Sequence, residues 1–138
     1  MPEDEKNEVL ARSLEEELLY GIRPMYGLYQ IKDGEIYRPY RFTSMQELIS
    51  GGHEVKRENY KLVHISPIRV SDIDFNLSWI FESLNTKHPV GFTGRSPSVS
   101  DVIVLHWHEF ITAHFIDNFG FVELQSFFAN IKIAPSDV

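Results

Sequence analysis

There is no cysteine anywhere in these 138 residues. That absence removes disulfide frameworks, cysteine-ligated zinc, iron–sulfur clusters and thiol nucleophiles together. Long apolar runs are missing too: nothing approaches the roughly 18 consecutive apolar residues that a membrane-spanning helix needs. The chain opens Met1-Pro2-Glu3-Asp4-Glu5, the reverse of the basic n-region of a secretory signal, so a cytoplasmic location is expected. Clusters of Lys and Arg are scarce, and non-specific grip on a phosphate backbone rests on such clusters. Duplex DNA is therefore disfavoured as a partner.

What is present is an ordinary globular composition, 43% hydrophobic and 24% charged, with ten Phe, six Tyr and two Trp. A chain of this length buries enough surface to fold as one domain without disulfide or metal. The formal charge of −7 is placed unevenly. Residues 1–20 carry seven acids (Glu3, Asp4, Glu5, Glu8, Glu15, Glu16, Glu17) against Lys6 and Arg12, a net of −5, and the rest of the chain is nearly neutral. Two units are expected: an acidic helical segment over 1–20 and an α+β domain over 21–138.

Leu10, Leu14 and Leu18 recur at helical spacing, with Val9 and Leu19 widening the stripe, and Gly21 and Pro24 end the pattern. This narrow stripe must dock on its own domain, on a partner's groove or on a second copy of the chain, so a homodimer through the helix is one expectation. Asp33-Gly34 lies between Tyr26–Lys32 and Glu35–Tyr40 and reads as a two-residue hairpin turn, with Pro39 making the second strand short or an edge. Thr43 with Gln46 and Ser44 with Glu47 form overlapping capping boxes for a short helix closed by Gly51-Gly52. Lys61–Ile65 alternates as a strand. Ser71 is the expected cap of a longer helix whose face is Ile73, Leu77, Ile80, Phe81 and Leu84. Residues 87–100 read as a loop, Asp101–Trp107 and Ile111–Ile116 as strands joined near His108-Glu109, and Phe121–Glu123 as a brief strand. A final helix is expected from Leu124, Phe127, Phe128 and Ile131. Hairpins interrupted by helices give an α+β fold: a mainly antiparallel sheet built from hairpins, with three to four helices packed on it.

Three stretches resemble YodL-like domains: Met25-Tyr26-Gly27-Leu28-Tyr29-Gln30-Ile31-Lys32-Asp33-Gly34; Arg57-Glu58-Asn59-Tyr60-Lys61-Leu62-Val63; and the long run from Phe92-Thr93-Gly94-Arg95-Ser96-Pro97-Ser98-Val99-Ser100-Asp101 through Thr112-Ala113-His114-Phe115-Ile116-Asp117-Asn118-Phe119-Gly120-Phe121. Together they span roughly residues 25–128 in order. The resemblance implies a module of bacterial mobile elements and phages, with no catalytic residues to carry over. Trp107-His108-Glu109-Phe110 departs from the family's more polar turn, and residues 1–20 lie outside the likeness.

Each conspicuous cluster has a structural explanation beside a functional one. Ser98, Ser100 and Asp101 suit a turn before a buried strand; as a nucleophile set they would need a histidine oriented by Asp101 and an oxyanion hole, and no G-x-S-x-G elbow accompanies them. His106 and His108 share a strand face, and with a turn centred on Glu109-Phe110, His114 falls on the other. Two histidines are fewer than catalytic zinc usually takes. The structural reading leaves His106 and His108 partly exposed and His114 satisfied near the core. Asp117–Phe121 is expected to turn at Gly120 with both Phe rings entering the core. Tyr37-Arg38-Pro39-Tyr40-Arg41-Phe42 interleaves bases and aromatics as single-strand nucleic-acid platforms do, although Arg stems also cover apolar surface. Trp107 and Phe110 are unusual for a turn and either fold back on the sheet or stand out as anchors.

The leading expectation is a non-enzymatic interaction module of a mobile element or its host that binds and modulates a cytoplasmic protein, a host-function or defence inhibitor among the options. It needs no cofactor and no membrane. Its partner-binding residues are Glu15, Glu16 and Glu17 on the acidic helix and Trp107, His108 and Glu109 at the hairpin tip. The alternatives are a small metal-dependent hydrolase using His106 and His108 and, more weakly, single-stranded nucleic-acid binding through Arg38 and Arg41.

Overall fold

The computed structural model describes residues 3–68, 76–86, 92 and 94–128. Five strands form one antiparallel sheet in the order β2-β1-β3-β4-β5: β1 (Met25–Ile31), β2 (Tyr60–Pro67), β3 (Val102–Trp107), β4 (Phe110–Ile116) and β5 (Phe121–Leu124). Among the described residues three α-helices, α1 (Glu3–Tyr20), α2 (Met45–Ser50) and α3 (Leu77–Thr86), join the sheet in an α+β fold, with 3₁₀ segments at Glu35–Tyr40 and Arg57–Asn59.

Because β1 is the centre of its neighbourhood and both sheet faces are covered, all of its side chains are buried and its pattern is continuous rather than alternating. One face packs Met25, Tyr29, Ile31, Val102, Val104 and Phe115 with Leu18 and Leu19 of α1, Leu48 of α2 and Phe127. The other packs Tyr26, Leu28, Ile103 and Ile116 with Ile80 and Leu84 of α3. The acidic segment thus shares the core of the rest of the chain. Leu18 and Leu19 are almost wholly buried, each such burial stabilising by about 1.5–3 kcal/mol. Gly27 makes the docking of α1 feasible, since a Cβ there would lie 2.6 Å from Leu18 Cδ2. The stripe is nonetheless only half used: Val9 and Leu10 are exposed.

The Asp33-Gly34 hairpin does not form. Residues 35–40 wind into 3₁₀ structure, and β1 pairs with β2 on one edge and β3 on the other. Pro39 lacks the donor a ladder needs, and Arg41 Nη2 seizes the carbonyls of Lys32 (2.9 Å) and Gly34 (3.0 Å), turning the chain away. Of the two capping boxes, Ser44 caps α2, accepting from the Glu47 amide, whereas the Thr43 hydroxyl is placed against the Pro39 and Arg41 carbonyls. The expected Ser71 cap and Ile73 lie outside the described residues; α3 is described from Leu77, with Asn76 Oδ1 accepting from the Trp79 amide. The β3–β4 turn is centred on His108-Glu109, one residue earlier than the register assumed for the histidines, with Trp107 opposite Phe110 and Ile103 opposite His114. His114 still faces away from His106. Leu124 ends β5 and 125–128 turn rather than continue as a helix; Ile131 lies outside the described residues.

Candidate functional site

At one end of the sheet, β3 runs into the hairpin tip and α1 terminates beside it. His106 joins the two. Its side chain points to the α1 face, where Nδ1 lies 2.7 Å from the Leu18 carbonyl oxygen, while Nε2 lies 3.1 Å from the His108 carbonyl oxygen. His106 is therefore buried and satisfied, contrary to the expected half-exposed position, and both of its nitrogens meet acceptors rather than converge with His108 on a common point. His108 sits in the turn at φ +56°, exposed, its ring edge-on to Trp107 at 4.6 Å. His114 bonds Thr112 Oγ1 at 2.8 Å on the opposite face, and burial pulls its basicity down. Among the described residues, no three His, Asp or Glu side chains are grouped to hold a metal.

The segments that leave this junction carry exposed apolar and acidic side chains. Ile22 is fully exposed, Phe110 is 70% exposed, and Tyr20 and Trp107 are close to half exposed. Glu16 and Glu109 are exposed, and Glu17 reaches Arg23 at 3.5 Å across solvent. Glu15 differs from its two neighbours. It turns inward, accepting from the buried Tyr29 hydroxyl at 2.6 Å and from Arg57 Nε at 2.9 Å, and Arg57 also stacks over the Tyr29 ring. Burial and the Glu15 charge push the Tyr29 hydroxyl far up, so it stays protonated and donates to Glu15. Glu15 pins α1 to the sheet, a role hidden in a run of three identical residues.

The opposite end of the sheet is built from the Phe92–Asp101 motif. Asp101 is fully buried before β3 and accepts from Arg95 Nη1 (3.0 Å) and Nη2 (2.9 Å), the Ser98 amide (3.0 Å) and Gln30 Nε2 (3.0 Å). Burial pushes its carboxyl above the usual range, and Arg95 and the other donors act against that. Gln30 also clasps Arg95's backbone, donating to its carbonyl and accepting from its amide. Gly94 must be glycine there, because a Cβ would fall 2.4 Å from Gln30 Oε1 and 2.8 Å from Val63 Cγ2. Ser98 Oγ accepts from Arg95 at 2.8 Å, and Ser100 Oγ accepts from the Phe42 amide at 3.0 Å. Asp101 thus orients an arginine, and the serines hold turns. Gln30 was the missed signal: a lone amide inside an apolar strand has to find partners.

A cleft of about 240 Å³ between α3 and the β4–β5 turn is lined by Ser78, Phe81, Glu82, Asp117, Asn118 and Phe121 among others, with no histidine. Gly120 takes φ +77° as the turn requires, but Phe119 stands almost wholly in solvent and only Phe121 packs inward.

The fold defines a small α+β domain whose five-stranded antiparallel sheet is covered on both faces. A family model, the YodL-like domain, matches residues 25–127, and the chain belongs to that family. No curated protein and no solved structure matches it. The match leaves out α1, which fills the core nonetheless. No helix among the described residues is long and apolar enough to cross a membrane.

Proposed function

We propose that the protein is a non-enzymatic interaction module of a bacterial mobile element or its host, binding and modulating a cytoplasmic protein. The observation that supports this reading is the hairpin tip, where Trp107 and Phe110 stand paired and exposed beside Glu109. Trp107 and Phe110 would anchor in an apolar pocket of the partner with Glu109 at its edge, and Glu16 and Glu17 of the acidic helix would meet basic groups of the partner. Exposed aromatics are the side chains that dominate such contacts, and the acidic side chains speed encounter in a salt-dependent way. Hydrolysis through His106 and His108 has less support, because the His106 nitrogens are both taken by backbone carbonyls.

The test is affinity capture from host lysate with three baits: the unaltered chain, Trp107→Ala/Phe110→Ala, and Glu16→Lys/Glu17→Lys. Deleting 1–20 is unsuitable, since it strips Leu18 and Leu19 from the core. A protein retained by the first bait and lost from both others supports the reading. Capture indifferent to both variants sinks it.

A further inference from the structure

The end of the sheet opposite the hairpin tip, separated from it by the six residues of β3 or about 20 Å, carries a second surface of different chemistry. Its centre is Phe42. A bulky residue at φ +54° is a backbone outlier, and Phe42 holds that conformation while 60% exposed. The surroundings impose it: the Phe42 amide donates to Ser100 Oγ at 3.0 Å, and Ser100 itself sits at φ +84°. Two strained, non-glycine residues are thus hydrogen-bonded to each other, and the product is an aromatic ring held out in water. Strain of this kind persists only where surrounding structure enforces it, and it gathers at binding and catalytic sites.

One cation caps the ring, and others gather near Asp33 on the same end of the sheet. The Arg95 guanidinium lies over it, Cζ 4.7 Å from the centroid, and is itself locked by Asp101 and Ser98. Arg41 is the preceding residue, anchored on the Lys32 and Gly34 carbonyls, and Lys32 Nζ is 6.0 Å from the Tyr37 ring centroid. Lys61 pairs with the exposed Asp33 carboxylate at 3.0 Å. Arg41 and Arg95 also act on Asp33, so these charges converge on one region. Asp101 is matched by Arg95 and Asp33 by Lys61, which leaves Arg41 and Lys32 here without a carboxylate partner among the ion pairs of the described residues. Of the other acids near this end, Glu35 pairs with Arg38 and Asp117 is turned to the Met45 and Asn118 amides.

We infer that this end binds a nucleotide unit, its base stacked on Phe42 and its phosphate held among Arg41, Lys32 and Lys61. An aromatic platform beside a cationic track is the arrangement that takes bases without reading sequence, and an arginine over the same ring adds to it. The residues differ from the expected pair: Arg38 is paired with Glu35 on the exposed 3₁₀ segment, and Arg95 takes its place. The site is independent of the Trp107 face.

The test uses the full chain and two probes at low salt: a fluorescein-labelled oligothymidylate followed by anisotropy, and ADP followed by calorimetry. Phe42→Gly removes the ring while suiting the backbone conformation, and it is expected to weaken binding roughly tenfold. Lys61→Ala is expected to weaken it and flatten the salt dependence, and Trp107→Ala to leave it unchanged. Oligothymidylate binding with this pattern supports a single-strand platform; ADP binding alone with this pattern supports a free-nucleotide site. Absence of binding by both probes, or binding indifferent to Phe42→Gly, overturns the inference.

Discussion

Arg95 and Asp101 make a two-pronged ion pair in which the partners differ in burial: the carboxylate is fully buried, while a third of the guanidinium side chain remains in contact with solvent. Removing one partner is therefore not equivalent to removing the other. Arg95→Met strands a buried charge and is expected to cost about 3 kcal/mol. Asp101→Asn leaves an arginine that water can still reach, and is expected to cost about 1–2 kcal/mol. Urea unfolding of the two variants checks the order, and equal or inverted losses would refute this account of the hub.

The close approach of Gly27 to Leu18 predicts a coupling. Gly27→Ala places a methyl group against Leu18 Cδ2 and should destabilise by about 1–3 kcal/mol, and Leu18→Ala alone by about 3 kcal/mol. In the double variant, the space vacated by Leu18 accepts the new methyl, so the combined loss should fall below the sum by about 1 kcal/mol. Strict additivity in thermal or urea unfolding would show that α1 does not rest on β1 at this point.

Acid sensitivity should trace in part to His64. Its ring lies beside Tyr26 and Phe92, its Nε2 has no hydrogen-bond partner, and burial holds its pKa below the ordinary 6.5. The folded chain thus binds that proton less readily than the unfolded chain. Stability present above pH 6.5 is lost as the pH falls from there toward the lower folded value. His64→Phe should flatten the curve over that window, leaving the contribution of His114, where Glu123 opposes burial. An unchanged pH profile for this variant would exclude His64 as its source.

Local signals carried through wherever the deciding interactions were local. The Ser44 cap, the stop at Gly21, the turn at Gly120 and the β3–β4 hairpin all rest on groups a few residues apart. The Asp33-Gly34 hairpin failed for a non-local reason: β1 had two better partners, one beginning at Tyr60 and the other at Val102, and no turn dipeptide reports that competition. The candidate faces followed the same division. Trp107 and Phe110 were conspicuous as aromatics in a turn, whereas the inward turn of Glu15 and the burial of His106 depend on Tyr29, Arg57 and the Leu18 carbonyl.

The sequence by itself determined the family, the α+β class, the stop of α1, the cap of α2 and the charge imbalance of the first 20 residues, because each is written in neighbouring side chains or in composition. Only the tertiary structure decided which acids face solvent, which histidine is buried and which aromatics stand out at the two ends of the sheet. Those outcomes depend on distant strands competing for the same edges and on which surface α1 covers, and the free energy of that competition is spread over contacts dozens of residues apart.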